Sequence, residues 1–188
     1  SAIVLCFAGS SGPAWCGETV KTAAENQAVL AKIETQLAKK PGDVELQVQR
    51  ALAMGRLERY EEQLSLSKLL CLKYPKLREA KKSMAYSLFC LKRSAEALDA
   101  LNQTFALGSP SASELLQRAI LLAELDRYSE ALKDVNVVIK DNNADEHAFF
   151  LRAECYFHLN GPCKQASSDL EQTLKINPSR EDARKLLV

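Results

Sequence analysis

The sequence has little of what catalytic and metal-binding proteins use. It holds only two histidines, His147 and His158, and no Gly-rich phosphate loop, G-x-S-x-G or H-E-x-x-H motif. On one predicted helix, eleven residues apart, the two histidines would be about 16 Å apart and could share neither a metal nor a proton. Glu154 and Cys155 lie within four residues of His158, but helix neighbours commonly pair without doing chemistry. The sequence therefore predicts no enzyme, no catalytic residue, no metal site and no cofactor.

Glycine, proline and excess charge are also scarce. Seven glycines and six prolines favour helices over a sandwich or barrel. The chain has 25 Lys and Arg against 24 Asp and Glu. With a net charge this small, we expect no electrostatic field strong enough to attract nucleic acid or an anionic membrane. The apolar run at 2–8 is too short to span a bilayer. We expect neither a nucleic-acid partner nor membrane insertion.

The cysteines follow no ligand pattern, since none forms a C-x-x-C pair or stands beside histidines at zinc-finger spacing. Four lie inside predicted helices, where cysteine serves as a small packing residue, and free thiols fit a reducing compartment. This favours a cytoplasmic location. The six are Cys6, Cys16, Cys71, Cys90, Cys155 and Cys163.

The N-terminus points the other way. Residues 1–17 are predicted to be irregular, and the apolar run at 2–8, followed by Ala14-Trp15-Cys16, resembles the end of a secretory signal. If 1–16 is a signal remnant, the protein belongs to the secretory pathway or the periplasm. The alternatives are a fragment boundary, a cloning remnant, or a segment that tucks against the first helices.

A 34-residue period runs through the rest of the chain. A leucine follows seven residues after the first member of each recurring pair, which indicates repeated helical hairpins. The recurring pairs are Arg50-Ala51, Met84-Ala85, Arg118-Ala119 and Arg152-Ala153, and the leucines are Leu57, Leu91, Leu125 and Leu159. Small residues at one register position let two helices cross closely.

Turn and capping signals give the boundaries of a single array over 18–188. Asp43 and Ser111 or Ser113 can cap helices, and Pro41, Pro75 and Pro178 stand at unit ends. We predict second helices over 60–73 and 128–140 in the first and third units. The predicted parts are a capping helix at 18–40, repeats at 43–76, 77–110, 111–144 and 145–178, and the start of a further or capping helix at 179–188.

The repeats resemble the tetratricopeptide repeat (TPR). The third unit matches the family pattern best, from Leu115 to Leu132, and the fourth unit also matches it. The first and second units match less well, because Gln63 stands where alanine is usual and Ser94 stands where an aromatic residue is usual. The resemblance implies an all-α solenoid of four antiparallel helix pairs with a helical N-terminal cap, wound into a right-handed superhelix. Such a protein holds partners and does not catalyse.

The resemblance also implies a concave groove lined by the first helix of each pair. Some family members grip a peptide's terminal carboxylate there with lysine, asparagine and arginine. Here the matching places hold Val48 and Leu52, then Ser83, then Ser113 and Gln117, so we expect no such clamp. The predicted groove residues are Val48, Leu52, Arg56, Lys82, Tyr86, Phe89, Leu116, Ile120, Glu124, His147, Phe150, Glu154, Phe157 and His158, and the same geometry also presents Glu45 and Glu79 to the groove.

The predicted function is a non-enzymatic adaptor that binds a protein or peptide in this groove. In particular, we expect Tyr86→Ala and Phe150→Ala to weaken partner capture without unfolding the chain. One alternative is a scaffold that self-associates, or continues into a larger protein, through apolar array ends such as Leu186-Leu187-Val188. The other is an exported protein resembling a co-chaperone.

Overall fold

The computed structural model describes residues 22–141 and 145–187, and every regular element in these ranges is an α-helix. The possible signal remnant, with Cys6 and Cys16, lies outside the described residues. The chain divides into two compact units that meet in sequence at Ser109 and Pro110. The all-α, helix-pair fold class is confirmed.

In the first unit, helices that are neighbours in sequence pack on one another, and α2 also contacts α4. The connections are short, so successive helices are antiparallel. The predicted span 60–73 is confirmed as α3, whereas the N-terminal capping helix is described only from Ala23. The five helices are α1 (Ala23–Lys39), α2 (Val44–Arg56), α3 (Tyr60–Lys73), α4 (Arg78–Cys90) and α5 (Ser94–Phe105).

The second unit repeats this arrangement. Each helix packs on the next, and α6 also contacts α8. The five helices are α6 (Ala112–Glu124), α7 (Tyr128–Asp141), α8 (Glu146–Asn160), α9 (Lys164–Ile176) and α10 (Glu181–Leu187).

Side-chain caps fix several helix starts. The Asp43 carboxylate accepts the Leu46 amide at 3.1 Å, and Ser111 forms a capping box with Glu114. Thr22 caps α1 in the same way, with Glu25 as its partner. The capping predictions for Asp43 and Ser111 are therefore confirmed.

The turn inside each of the first three repeats has one geometry. A non-glycine residue lies in the left-handed region, at Glu58, Lys92 and Asp126 (φ 57°, 59° and 58°). The arginine that follows each of them forms a bidentate pair with a glutamate three residues on, as in Arg59–Glu62. The fourth turn, one residue longer, uses Gly161 (φ 70°) and leaves Leu159 43% exposed.

The recurring alanines are the tightest points of the core. Ala51, Ala85, Ala119 and Ala153 are at most 1% exposed, as expected where helices cross closely. Gln63 replaces the usual alanine in α3 and is fully buried. Its amide donates to the Ser83 hydroxyl of α4 at 3.0 Å, so a polar contact takes the place of an apolar one.

Candidate peptide-binding surfaces

In the first unit, four predicted groove residues lie at the surface of α2 and α4. Leu52 is 44% exposed, Lys82 is exposed, and Arg56 and Tyr86 are half-buried. These four residues make up a surface with one apolar, one aromatic and two cationic side chains, and the exposed carboxylates of Glu45 and Glu79 lie on the same two helices. We call it the α2–α4 surface.

Tyr86 is supported from beneath by Tyr60 of α3. The two rings meet edge to face with centroids 6.1 Å apart, a favourable geometry for aromatic pairs. Burial raises the pKa of Tyr60 to about 12, with smaller contributions from Cys90 and Glu58. Tyr60 therefore stays neutral over the physiological range and acts as a fixed support.

Two other predicted groove residues of this unit belong to the core. Val48 is 4% exposed because it packs with Leu70 and Ala80, that is, between hairpins. Phe89 is 7% exposed, and the Lys92 ammonium lies 5.5 Å from its ring centroid. The expectation that both are presented to a partner is corrected: neighbouring helices and side chains already cover them.

In the second unit, three apolar groove predictions are buried. Leu116 and Ile120 are each 3% exposed because α6 is buried around most of its circumference. Phe150 is 3% exposed and packs in a cluster with Ala183 of α10, while the Arg180 guanidinium lies 4.0 Å above its ring. These residues are core, and Phe150→Ala is expected to destabilise the fold instead of selectively weakening capture.

The remaining predicted residues of this unit retain exposed area. Glu124, His147, Glu154 and Phe157 are half-buried, and His158 is exposed. His158 stacks on Tyr128 with centroids 4.4 Å apart and planes 3° apart. This ring pair gives the C-terminal end of α8 a flat aromatic surface.

Charged groups surround the N-terminal half of α8. Arg180 donates to Asp182 at 3.0 Å and lies 3.2 Å from His147 Nδ1. Burial raises the pKa of Glu154 to about 8; Arg180 opposes this shift and Asp182 adds to it. Glu154 is therefore largely protonated at neutral pH.

Tyr60, Tyr128 and Arg180 were missed as functional candidates. The two tyrosines begin the second helices of the first and third repeats, 68 residues apart, so their shared register was the available signal. Arg180 had no repeat signal, because it lies in the segment before α10.

The places of the family's carboxylate clamp hold no cation. Ser83 is buried and accepts hydrogen bonds from Gln63 and Ser67, and Gln117 is 6% exposed. Ser113 is exposed. None of these three side chains carries a positive charge.

The described ranges contain four of the six cysteines. Cys71, Cys90, Cys155 and Cys163 are free thiols, which confirms the prediction for these four. Among the described residues, no group of three or more His, Cys, Asp or Glu side chains could hold a metal ion. No helix there is long and apolar enough to cross a membrane.

Comparison with solved structures identifies the fold. YrrB, a TPR protein with an unusual peptide-binding site, superposes with a TM-score of 0.72 at 15% identity over 82% of this chain and 79% of its own. TTC0263, a thermophilic TPR protein of Thermus thermophilus, gives 0.65 at 19% identity over 86% and 88%. The chain has the tetratricopeptide-repeat fold. The first TPR of Spaghetti (RPAP3), bound to the HSP90 peptide SRMEEVD, gives 0.54 at 21% identity over 58% and 86%.

Sequence comparison gives one partial match. A 58 kDa phosphoprotein of Plasmodium berghei is 32% identical over 96 residues, which are 51% of this chain. The match spans only 22% of that protein's length. No family model matches the chain.

Proposed function

We propose that the chain is a non-enzymatic adaptor that binds a peptide segment on the α2–α4 surface. The observation that carries this proposal is the pairing of exposed Leu52 with half-buried Tyr86, beside Arg56 and Lys82. An aromatic ring held by a second ring presents contact area at low entropic cost, as at other peptide-binding surfaces. Arg56 and Lys82 favour acidic residues next to the apolar anchor of the segment, and Glu45 and Glu79 on the same helices favour a basic residue farther along it.

Peptide binding by solved proteins of the same fold supports the class of function. YrrB has a peptide-binding site, and the RPAP3 domain holds an HSP90 peptide. We propose a different mode for this chain, without a carboxylate clamp. Because Ser83, Ser113 and Gln117 carry no charge, a terminal carboxylate would gain no charge-assisted bond at those places.

Selection from a random peptide library tests the proposal. The wild-type chain should enrich peptides with an apolar residue near acidic ones. Leu52→Gln or Lys82→Glu should weaken a selected peptide at least about tenfold, since each alters a side chain that the peptide contacts. The matched control is Val137→Gln, an equally exposed apolar residue on α7. Lack of enrichment, or unchanged binding by Leu52→Gln, would contradict the proposal.

The peptide SRMEEVD tests the absence of the clamp and the co-chaperone alternative together. If the chain lacks a clamp, amidation of the peptide's C-terminus should change its affinity little. A large loss on amidation, measured by fluorescence anisotropy, would show that a terminal carboxylate is recognised and would favour the co-chaperone function.

A further inference from the structure

The outer face of α3 carries the most exposed large apolar side chains of the described residues. Leu72 is 80% exposed and Leu69 is 64% exposed. The buried side of the same helix is formed by Gln63, Ser67 and Leu70, which lie towards the core. Leu69 and Leu72 are therefore not part of the core, and they are not part of the α2–α4 surface.

Only the first repeat has leucine at both positions. At the position of Leu69, the second, third and fourth repeats hold Gln103, Val137 and Gln172; at the position of Leu72 they hold Ala106, Lys140 and Lys175. The repeat fold therefore does not require leucine at either place. Two leucines three residues apart stand on one face of the helix, as in surfaces that receive an apolar anchor.

The segment that carries the two leucines is cationic. One carboxylate of α5, that of Glu96, lies close enough for Lys68 to add to the lowering of its pKa by Arg93. Between Glu62 and Glu79 the sequence has four basic residues and no acidic residue. Lys68, Lys73 and Lys76 are exposed, and Lys68 and Lys73 lie on the helix next to the leucines. Arg78 instead donates to the Ser109 carbonyl at 3.0 Å.

We propose that the outer face of α3, formed by Lys68, Leu69, Leu72 and Lys73, together with Lys76 in the turn that follows, is a second docking surface for an acidic amphipathic segment of another protein. The two leucines receive apolar side chains of the partner, and the lysines pair with flanking carboxylates. Charge complementarity selects the partner and speeds its association. This surface is separate from the α2–α4 surface and does not depend on the proposed function.

A second copy of this chain is a poorer occupant. Val137 lies between Lys133 and Lys140 on α7, and Ile176 follows Lys175 on α9. If either apolar residue were placed against Leu69 and Leu72, lysine would meet lysine, and like charges directly opposed disfavour a contact. An acidic partner avoids this repulsion.

The test uses a synthetic helical peptide with leucines on one face and glutamates on the other, and its binding to the chain is measured by fluorescence anisotropy. Wild-type chain should bind it with saturation, and Leu69→Gln/Leu72→Lys should weaken binding at least about tenfold. These substitutions introduce residues that other repeats carry at the same positions, so helicity and urea unfolding should be unchanged. Val137→Gln at the same register of α7 should bind as wild type. In a Lys82→Glu background, which removes the α2–α4 surface as a competing site, Leu69→Gln/Leu72→Lys should still weaken binding at least about tenfold.

Reversing the charges of the two lysines on α3 gives a second, independent test that leaves both leucines in place. Lys68→Glu/Lys73→Glu should weaken the glutamate peptide at least about tenfold and should improve binding of a peptide with lysines instead of glutamates. Equal binding of the two peptides by wild type would overturn the proposal, as would absence of saturable binding.

Two further measurements identify a different occupant. If wild-type chain sediments with phosphatidylserine-containing vesicles and Leu69→Gln/Leu72→Lys does not, the surface binds membrane, and the proposal is wrong. If sedimentation velocity shows a dimer that this variant abolishes, the occupant is a second copy, and the proposal is equally wrong.

Discussion

At the scale of single residues, Gly55 and Gln63 compensate for one another. A Cβ at Gly55 would lie 2.7 Å from Gln63 Oε1 and 2.8 Å from Nε2, and the fully buried Gln63 side chain could move away only by giving up its hydrogen bond to Ser83. The third repeat holds Ala123 and Ala131 at the same two places. The bulky side chain in α3 is therefore tolerated because α2 has no side chain opposite it.

This compensation predicts the result of a double-mutant cycle. Gly55→Ala should destabilise the chain by about 1–3 kcal/mol through overpacking, reduced by the roughly 1 kcal/mol that alanine gains in a helix. Gly55→Ala/Gln63→Ala, which reproduces the third repeat, should recover most of the loss. Urea unfolding measures both. If the two substitutions are additive, the residues are not coupled.

Glu154 predicts a pH dependence of stability. Its pKa is raised from 4.5 in the unfolded chain to about 8 in the folded one, so folding favours the protonated form. Stability should therefore fall as pH rises from about 4.5 to 8 and change no further above that. The loss from this group should be on the order of 3 kcal/mol, less than the full value of about 1.4 kcal/mol per pKa unit, because the half-buried carboxyl is partly screened by solvent.

Glu154→Gln isolates this contribution. The variant should lose that part of the pH dependence and be more stable than wild type at pH 8, as measured by urea unfolding at several pH values. Glu171→Gln, at an exposed glutamate of α9, is the control. If the stability of Glu154→Gln changes with pH in parallel with that of wild type, the Glu154 carboxyl does not cause the pH dependence of stability.

At the scale of elements, buried ion pairs join the two helices of the third and fourth repeats. Arg152 makes two bonds to Asp169, at 2.8 and 2.7 Å, and the Asp169 side chain is only 6% exposed. Arg118 and Asp134 repeat the geometry between α6 and α7. Arg152 also donates to Asn136 of α7 at 3.0 Å, so it connects three helices.

The second repeat shows how such a pair can be replaced. It holds Met84 and Ala100 at the positions of Arg152 and Asp169. Arg152→Met should cost about 3–5 kcal/mol because it leaves a buried carboxylate without a counter-ion. Arg152→Met/Asp169→Ala should recover most of this in urea unfolding, and a single-variant loss below about 1 kcal/mol would show that water solvates Asp169.

The elements also show what sequence could predict. The sequence predicts α3 over 60–73 because Pro75 and the 34-residue period set its limits. Asp43 and Ser111 predict where their helices begin because capping is a local interaction. The burial of Phe150 could not be predicted from such local signals. Whether it faces a groove or the core depends on Ala183 and Arg180, which no repeat pattern connects to it.

At the scale of the whole molecule, a repeat protein should distribute its stability locally. Within each of the two units, helices pack mainly on their sequence neighbours, so damage in one repeat should be felt most strongly in the helices beside it. Ala51 and Ala153 offer a matched pair, since each is 1% exposed at the same position of the first and fourth repeats. Replacing either by leucine should overpack one helix crossing and leave distant crossings unchanged.

Hydrogen exchange followed by mass spectrometry measures this directly. Ala51→Leu should accelerate amide exchange in α1–α4 more than in α8 and α9, and Ala153→Leu should do the reverse. The comparison between the two variants removes effects of chemistry and of substitution size, since both make the same change. Equal acceleration of all ten helices by both variants would mean that the described chain opens in one cooperative step, and that its repeats do not behave as locally coupled units.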